Sequence, residues 1–102
     1  MPFYIYIIQS ECDSSYYKGF TEDYFKRLTY HNSGLSKYTS RKIPWKLVYL
    51  EIYNSKRETL IREKVLKKYS HKQIQELINS SKNKCRHLVD EWLKSIPNIV
   101  GD

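Results

Sequence analysis

The stretch that decides the fold is Phe3-Tyr-Ile-Tyr-Ile-Ile-Gln9, followed by the polar Ser10-Glu-Cys-Asp-Ser14 and then by Ser15-Tyr-Tyr-Lys-Gly19. The first and third segments are rich in aromatic and β-branched residues, which favour strands, and the polar segment between them is typical of a turn. Glycine frees the backbone where the second strand ends. These residues predict a β-hairpin, in which two tyrosines of facing strands can lie side by side.

Outward from the hairpin, the pattern alternates between helix and strand. Thr21 is predicted to cap a helix that has Glu22 and Asp23 in its first turn and runs to about Tyr30. A basic loop follows, and Lys46-Leu-Val-Tyr-Leu-Glu-Ile-Tyr53 predicts a third strand. The result is a small sheet with helices packed against it, which defines an α+β domain.

Three more helices are predicted after the third strand. Ser55 to Glu58 and Ser70 to Gln73 both match the capping box, in which serine and the acid or amide three residues later satisfy each other's backbone N–H groups. The apolar positions predicted to face the core are Leu60, Ile61, Val65 and Leu66 in one helix, Ile74, Leu77 and Ile78 in the next, and Cys85, Leu88, Val89 and Trp92 in the last. The predicted fold is therefore a three-stranded mixed or antiparallel sheet flanked by helices, with a domain at residues 1–78 and a C-terminal helical extension at 79–102 packed on it.

Size and composition limit the class of protein. The chain has 102 residues, of which 40% are hydrophobic, so one folded domain is expected and a disordered tail is not. No apolar run approaches the roughly 20 residues of a membrane span, and the first residues lack a signal peptide's basic start, so a cytoplasmic protein is expected. Cys12 and Cys85 form no CxxC pair and lack zinc-ligand spacing, which predicts free thiols.

The basic residues are concentrated in one segment. Fourteen of the 18 lysines and arginines, but only five of the 11 acids, lie between Lys18 and Lys72, which gives this segment a formal charge of +9. A basic face of this kind is typical of proteins that bind nucleic acid, because each neutralised phosphate releases counterions. A solvated basic surface with no partner is the alternative at this point.

Familiar hydrolytic motifs are absent. The sequence contains neither the Gly-x-Ser-x-Gly nucleophile elbow nor a P-loop, and its three histidines are too scattered for a two-histidine zinc helix. The remaining candidates are the hairpin tyrosines Tyr6 and Tyr17, together with Arg27 and His31, which are four residues apart and share a helix face. Glu63, in a later helix among basic residues, completes the set.

In this arrangement the sequence resembles the GIY-YIG nuclease superfamily, and within it the small single-domain members similar to the nuclease module of the excision-repair subunit UvrC. The name motif corresponds to Tyr4-Ile-Tyr6 and Tyr17-Lys-Gly19. The family's arginine matches Arg27, ten residues after the second tyrosine, its His/Tyr position matches His31, and its metal-binding glutamate matches Glu63. The stretch from Lys37 to Arg41 also resembles the small-domain members, and altogether the resemblance covers roughly residues 3 to 75.

The resemblance implies a divalent-metal-dependent endonuclease that hydrolyses phosphodiester bonds in DNA, in repair or processing. It implies that Glu63 binds Mg²⁺ or Mn²⁺, that Arg27 grips the phosphate and that Tyr17 is the general base. Tyr6 would position water or share the role of base, and His31 completes the catalytic set. The basic residues expected to contact nucleic acid are Lys18, Lys37, Arg41, Lys42, Lys67 and Lys68.

Other interpretations stay open. Tyr4 replaces the first glycine of the name motif, and Phe20 stands where some members carry lysine, so a nucleic-acid-binding module with weak or lost catalysis is the main alternative. An interaction domain with no nucleic-acid role is a third hypothesis. Residue by residue, the tyrosines could be core residues, and Glu63 could simply pair with Lys67 on its own helix. DNA or RNA as substrate, and monomer or homodimer as the assembly, are also left open.

Overall fold

The computed structural model describes residues 2–85 and has the predicted N-terminal hairpin at its centre. Its elements are β1 (Phe3–Ser10), β2 (Tyr16–Thr21), α1 (Tyr24–Asn32), a 3₁₀ turn (Ser40–Lys42), β3 (Trp45–Tyr53), α2 (Lys56–Leu66) and α3 (His71–Ile78). The sheet order is β2-β1-β3, and β1 pairs antiparallel with both neighbours. The α+β class is confirmed, and of the mixed and antiparallel alternatives the antiparallel sheet forms.

Side-chain alternation along β1 gives the sheet two buried faces. Ile5 and Ile7 point to one side, where they pack with residues of α2 and α3, and we call this the α2–α3 face. Tyr6 and Ile8 point to the other side, where α1 packs, and we call this the α1 face. Because β1 is covered on both sides, residues next to each other in its sequence belong to different sites.

The first helix begins later than the sequence predicts. Its N-cap is Asp23, whose Oδ1 accepts a hydrogen bond from the Lys26 backbone N–H at 3.0 Å. The predicted cap Thr21 is wrong, because Thr21 is still the last residue of β2 and pairs there with Tyr4. Its hydroxyl instead accepts from the Asp23 N–H at 3.1 Å, which supports the turn into the helix.

The start of α2 agrees with its predicted cap. Ser55 is the N-cap, and its Oγ accepts from the Glu58 N–H at 3.1 Å, which is the serine half of the predicted capping box. For α3 both halves of the box form between Ser70 and Gln73. The predicted inward residues Ile74 and Leu77 of α3 are buried.

The predicted apolar face of α2 is wrong, apart from Leu66. Ile61 is 57% exposed, and the other exposed members of the predicted face are Leu60 and Val65. The helix instead buries Thr59 and Leu66. Its orientation follows a polar anchor, since Arg62 faces the sheet and donates to Glu51 of β3 through Nε at 3.0 Å and Nη2 at 2.9 Å.

Glu51 is the centre of this buried polar network on the α2–α3 face. Besides Arg62, the hydroxyls of Tyr49 and Tyr53 donate to its carboxylate, that of Tyr53 at 2.6 Å. Burial alone would raise the pKa of Glu51, but the hydrogen bonds from Arg62 and the two tyrosines outweigh it and hold the pKa below its ordinary value. Burial, together with the bond to this carboxylate, raises the pKa of Tyr53 to about 12. The network therefore joins β3 to α2 as a fully paired unit.

The outer edge of β3 is covered by the segment after α3. Asn83 Oδ1 accepts from the Leu50 N–H at 3.3 Å, its Nδ2 donates to the Val48 carbonyl at 2.9 Å, and the Lys84 N–H donates to the Leu50 carbonyl at 2.9 Å. Cys12 and Cys85 are free thiols, as predicted. Within residues 2–85 no helix is both long and apolar enough to cross a membrane. The predicted last helix, with Leu88, Val89 and Trp92, lies outside the described residues.

Candidate active site

The hairpin brings Tyr6 and Tyr17 to the same α1 face. In the β1–β2 register Tyr6 pairs with Gly19 and Tyr17 with Ile8, so the two tyrosines are diagonal neighbours. Their ring centroids are 6.4 Å apart. Tyr6 is buried and Tyr17 is half-buried, so Tyr17 is the phenol that faces solvent more openly.

Gly19 is what allows the Tyr6 ring to lie across β2. A Cβ at this position would stand 2.7 Å from Tyr6 Oη and 2.8 Å from Cζ, closer than side-chain carbons approach other atoms in proteins. Any larger residue would push the ring away from the strand. The glycine of the second triplet therefore has a packing role that is tied directly to the position of the Tyr6 hydroxyl.

Two residues of α1 hold that hydroxyl. Tyr6 Oη lies 2.9 Å from His31 Nε2 and accepts a hydrogen bond from Arg27 Nε at 3.3 Å. The Arg27 guanidinium stacks over the Tyr30 ring, with its central carbon 4.6 Å from the centroid. Arg27 and His31 thus share a helix face, and that face meets the hairpin tyrosines.

His31 is fully buried and connects the cluster to the loop after α1. Its Nδ1 lies 2.8 Å from Thr39 Oγ1, and its ring centroid is 4.9 Å from that of Tyr17. Burial, reinforced by the positive charge of Arg27, lowers the pKa of His31 to about 4, so the ring is neutral at pH 7. Thr39 was not among the predicted site residues, and the only signal for it in the sequence is its place in the stretch from Lys37 to Arg41.

Hydrogen-bond accounting favours one tautomer of this neutral ring. Within residues 2–85 the buried Thr39 hydroxyl has no acceptor other than His31 Nδ1. If Thr39 donates to Nδ1, the ring proton sits on Nε2 and is donated to Tyr6 Oη. The Tyr6 hydroxyl can then donate its own proton to a ligand in the site. In the opposite tautomer Nδ1–H would donate to Thr39, and the buried hydroxyl proton of Thr39 would have no acceptor within residues 2–85.

Tyr6 keeps its proton at neutral pH. Burial raises the pKa of Tyr6 to about 12, the hydrogen bond and charge of Arg27 act against this rise, and the charges of Tyr17 and Glu63 add to it. Of the two roles that the resemblance implied for Tyr6, this environment favours positioning over acting as a base. The charge of Glu63 is the smallest of these influences on Tyr6.

Glu63 lies in α2, the helix that packs on the α2–α3 face, whereas the cluster lies on the α1 face. Its side chain is 16% exposed and pairs with Lys67 at 3.6 Å, as the alternative interpretation anticipated. Within residues 2–85 no hydrogen bond joins it to the α1-face residues, and no three His, Cys, Asp or Glu side chains form a cluster able to hold a metal ion. A single hard oxygen ligand, completed by water and substrate oxygens, nevertheless suits Mg²⁺.

The six basic residues proposed to contact nucleic acid fall into separate places. Lys37, Arg41 and Lys42 lie exposed in the loop after α1, where Lys42 pairs with Asp13 at 3.2 Å. Lys67 and Lys68 are exposed just after α2. Lys18 points instead to the α2–α3 face, away from Tyr17, and donates to the Tyr69 carbonyl at 3.4 Å.

Comparison with known proteins confirms the family that the sequence resembles. The chain belongs to the GIY-YIG family, because the GIY-YIG catalytic domain matches residues 2–79. This family defines a nuclease superfamily, so nucleic acid is the class of substrate that the domain implies.

Several similar proteins carry the name UPF0213. One from Streptococcus pneumoniae is 36% identical over 92 residues, which is 87% of this chain and 92% of that protein. One from Clostridium perfringens is 42% identical over 78 residues, or 76% of this chain and 83% of the relative. The solution NMR structure of a UPF0213 protein from Bacillus halodurans matches with a TM-score of 0.54 at 30% identity, covering 88% of this chain and 96% of that one.

Proposed function

We propose that this protein is a divalent-metal-dependent endonuclease that hydrolyses phosphodiester bonds in DNA, acting in repair or processing in the cytoplasm. The observation that carries the proposal is the convergence of Arg27 and His31 on the Tyr6 hydroxyl, with the Tyr17 ring beside them. A tyrosine, an arginine and a neutral histidine held together at one place in a nuclease-family chain form a site suited to a phosphate and an attacking water.

The proposed metal ligand is Glu63, with Mg²⁺ or Mn²⁺ as the ion. Its mostly buried carboxylate, within electrostatic reach of Tyr6, fits an ion that keeps its remaining positions for water and substrate. When bound, such an ion supplies positive charge to a phosphate oxygen and makes a coordinated water more acidic.

Arg27 is the proposed phosphate-binding residue. Its Nε donates to Tyr6, so its terminal nitrogens can donate to non-bridging oxygens while the Tyr30 ring fixes the plane of the guanidinium. The hydrogen bond to Tyr6 raises the pKa of Arg27 further, and its charge is constant at all working pH values.

The two phenols have different proposed roles. Tyr17 is the proposed general base, because within residues 2–85 its hydroxyl forms no hydrogen bond and its ring is half-buried, so it can reach a water. Tyr6 keeps its proton and positions the water or the phosphate. Neutral His31 donates to Tyr6 and fixes the direction of the Tyr6 hydroxyl.

The second candidate is a nucleic-acid-binding module that lacks useful catalysis. It is favoured by the position of Lys18, whose side chain points to the α2–α3 face. Lys18 therefore does not stand beside the phenols in place of the lysine that some family members carry where this chain has Phe20. Both candidates use the same exposed cations, Lys37, Arg41 and Lys68 among them. Retention on DNA should therefore fall steeply as ionic strength rises in either case, whereas a domain without a nucleic-acid role would show no such dependence.

A nicking assay on supercoiled plasmid with Mg²⁺ or Mn²⁺ separates the two candidates. Glu63→Gln removes the carboxylate charge with little change of shape, and it should lower the cleavage rate by roughly 100-fold or more while DNA retention without metal stays nearly unchanged. Glu58→Gln is the matched control, since Glu58 is exposed in the first turn of the same helix. Wild-type protein that retains DNA but never nicks it would establish the binding module, and equal cleavage by Glu63→Gln would remove Glu63 as ligand.

A further inference from the structure

The loop between α1 and β3 is anchored by buried side chains and by hydrogen bonds to the rest of the domain. Ser36 and Thr39 are buried, Thr39 contacts His31, and the Trp45 indole N–H donates to the Thr39 carbonyl at 2.9 Å. At the far end of the loop Ser10 Oγ donates to the Lys42 carbonyl at 2.7 Å. These bonds fix which residues the loop turns inward and which it presents to solvent.

Two large apolar residues are presented to solvent by this anchored loop. Tyr38 is 78% exposed and Leu35 is 72% exposed, more than any other large hydrophobic residue within 2–85. The Tyr38 ring makes no ring contact or hydrogen bond with the rest of the described chain. Neither side chain therefore contributes to the core, and the two together form a candidate interaction surface on an anchored loop.

The surroundings of these residues favour nucleic acid over protein as the partner. Lys37 and Arg41 are exposed in the same loop, within three residues of Tyr38 in the sequence. A stable protein interface, by contrast, needs a far larger apolar area than two side chains provide. Exposed aromatic rings beside positive charges are the combination on which unpaired bases stack, because every base has an apolar face.

The surface also lies next to the proposed active site. Tyr38 directly precedes Thr39, which contacts His31, and consecutive Cα atoms are about 3.8 Å apart. A nucleic-acid strand whose phosphate reached Arg27 could therefore place a neighbouring base on Tyr38. Bases inside a regular duplex are stacked on each other, so only an unpaired or extruded base has a free face.

We propose that Leu35 and Tyr38 form a stacking ledge for an unpaired base, and that the substrate is accordingly single-stranded or locally unpaired nucleic acid. The position of the ledge relative to the scissile phosphate rests on the proposed nuclease function, but base binding on the ledge does not require cleavage. The ledge reads no base edge, so it should accept any base, and Lys37 and Arg41 would follow the backbone on either side.

The test measures binding without cleavage, using the full chain in the absence of divalent metal. The oligonucleotides carry 2-aminopurine, whose fluorescence is quenched when it stacks. Three forms are compared: a single strand, a duplex with a short gap, and a fully paired duplex. Matched DNA and RNA single strands distinguish the two sources of an unpaired base. The wild type should bind the single strand and the gapped duplex more tightly than the paired duplex, with quenching.

Tyr38→Ala should weaken single-strand binding by roughly 5- to 100-fold and abolish the quenching, while paired-duplex binding stays nearly unchanged. Tyr38→Trp should keep both, because any aromatic ring can stack. Lys37→Ala should weaken binding to all forms alike, and Ile61→Ala, an exposed apolar residue of α2, is the matched control with no effect. Equal losses of Tyr38→Ala on single strand and duplex, or absence of quenching in the wild type, would overturn the ledge.

These outcomes are separate from those of the nicking assay. A wild type that stacks 2-aminopurine but never cleaves would refute the nuclease function and leave the ledge in place. A wild type that cleaves, but whose cleavage and binding ignore Tyr38→Ala and strand pairing, would refute the ledge alone.

Discussion

Gly19→Ala tests the link between the packing of the hairpin and the proposed chemistry. The new Cβ would lie 2.7 Å from Tyr6 Oη, against 3.4 Å or more in an ordinary contact, so the ring must move by about 0.7 Å. The hydroxyl is held by His31 at 2.9 Å and Arg27 at 3.3 Å, and a shift of this size strains or breaks those bonds. Overpacking together with a weakened buried hydrogen bond should lower the free energy of unfolding by about 2 kcal/mol.

In Gly19→Ala the cleavage rate should fall further than the loss of folded protein alone would explain. A misplacement of about 1 Å in a catalytic group costs on the order of 100-fold in rate, so nicking by Gly19→Ala should fall on that scale under conditions where the protein is still folded. Urea denaturation measures the first effect and the plasmid assay measures the second.

Gly34→Ala is the matched control for this experiment. At φ +83 an added Cβ strains the backbone, yet it meets nothing closer than Ile43 Cδ1 at 3.7 Å, so this variant should lose about 1–2 kcal/mol of stability and keep most of its cleavage. The reasoning fails if Gly19→Ala is no less stable than wild type and cleaves at the wild-type rate.

The buried ion pair and the buried histidine give three further outcomes. Arg62→Ala leaves Glu51 without its cation and should cost about 3 kcal/mol in urea denaturation at pH 7; a loss well under 1 kcal/mol would contradict the network. His31 titrates near 6.5 when unfolded and its pKa is about 4 when folded, so stability is complete above pH 6.5 and should fall by about 3 kcal/mol as the pH drops to 4. His31→Gln should flatten that part of the curve, and parallel curves would refute it. Thr39→Val removes the hydroxyl that donates to His31 Nδ1, so the ring ¹⁵N shift of Nδ1 should change and kcat should fall more than KM; an unchanged Nδ1 shift would remove the positioning role of Thr39.

Local patterns in the sequence were enough for the hairpin, the caps of α2 and α3, and the inward face of α3. Each of these depends on residues a few positions apart, such as Ser70 and Gln73. The shared face of Arg27 and His31 follows from helical periodicity in the same way, and the structure brings both to Tyr6. The candidate site residues could be named because a family pattern specifies their spacing, and their roles stay a prediction.

The errors came from contacts between distant parts of the chain. The orientation of α2 depends on Arg62 reaching Glu51 in another element, so the apolar periodicity of Ile61 and Val65 pointed to the wrong face. Thr39 reaches His31 across an irregular loop that no periodicity describes. The first helix begins later than predicted because Thr21 pairs with Tyr4 of β1, and this pairing outweighs the capping preference of Thr21.

The polar cover over β3 bears on how copies of this protein meet one another. An uncovered outer strand offers a row of N–H and C=O groups on which a second molecule can extend the sheet. Here the Asn83 side-chain amide already bonds the Leu50 N–H and the Val48 carbonyl, and the Lys84 N–H already bonds the Leu50 carbonyl. Strand addition by a second molecule is thereby blocked at these positions, and loss of the Asn83 amide would leave the backbone groups of Val48 and Leu50 open to it.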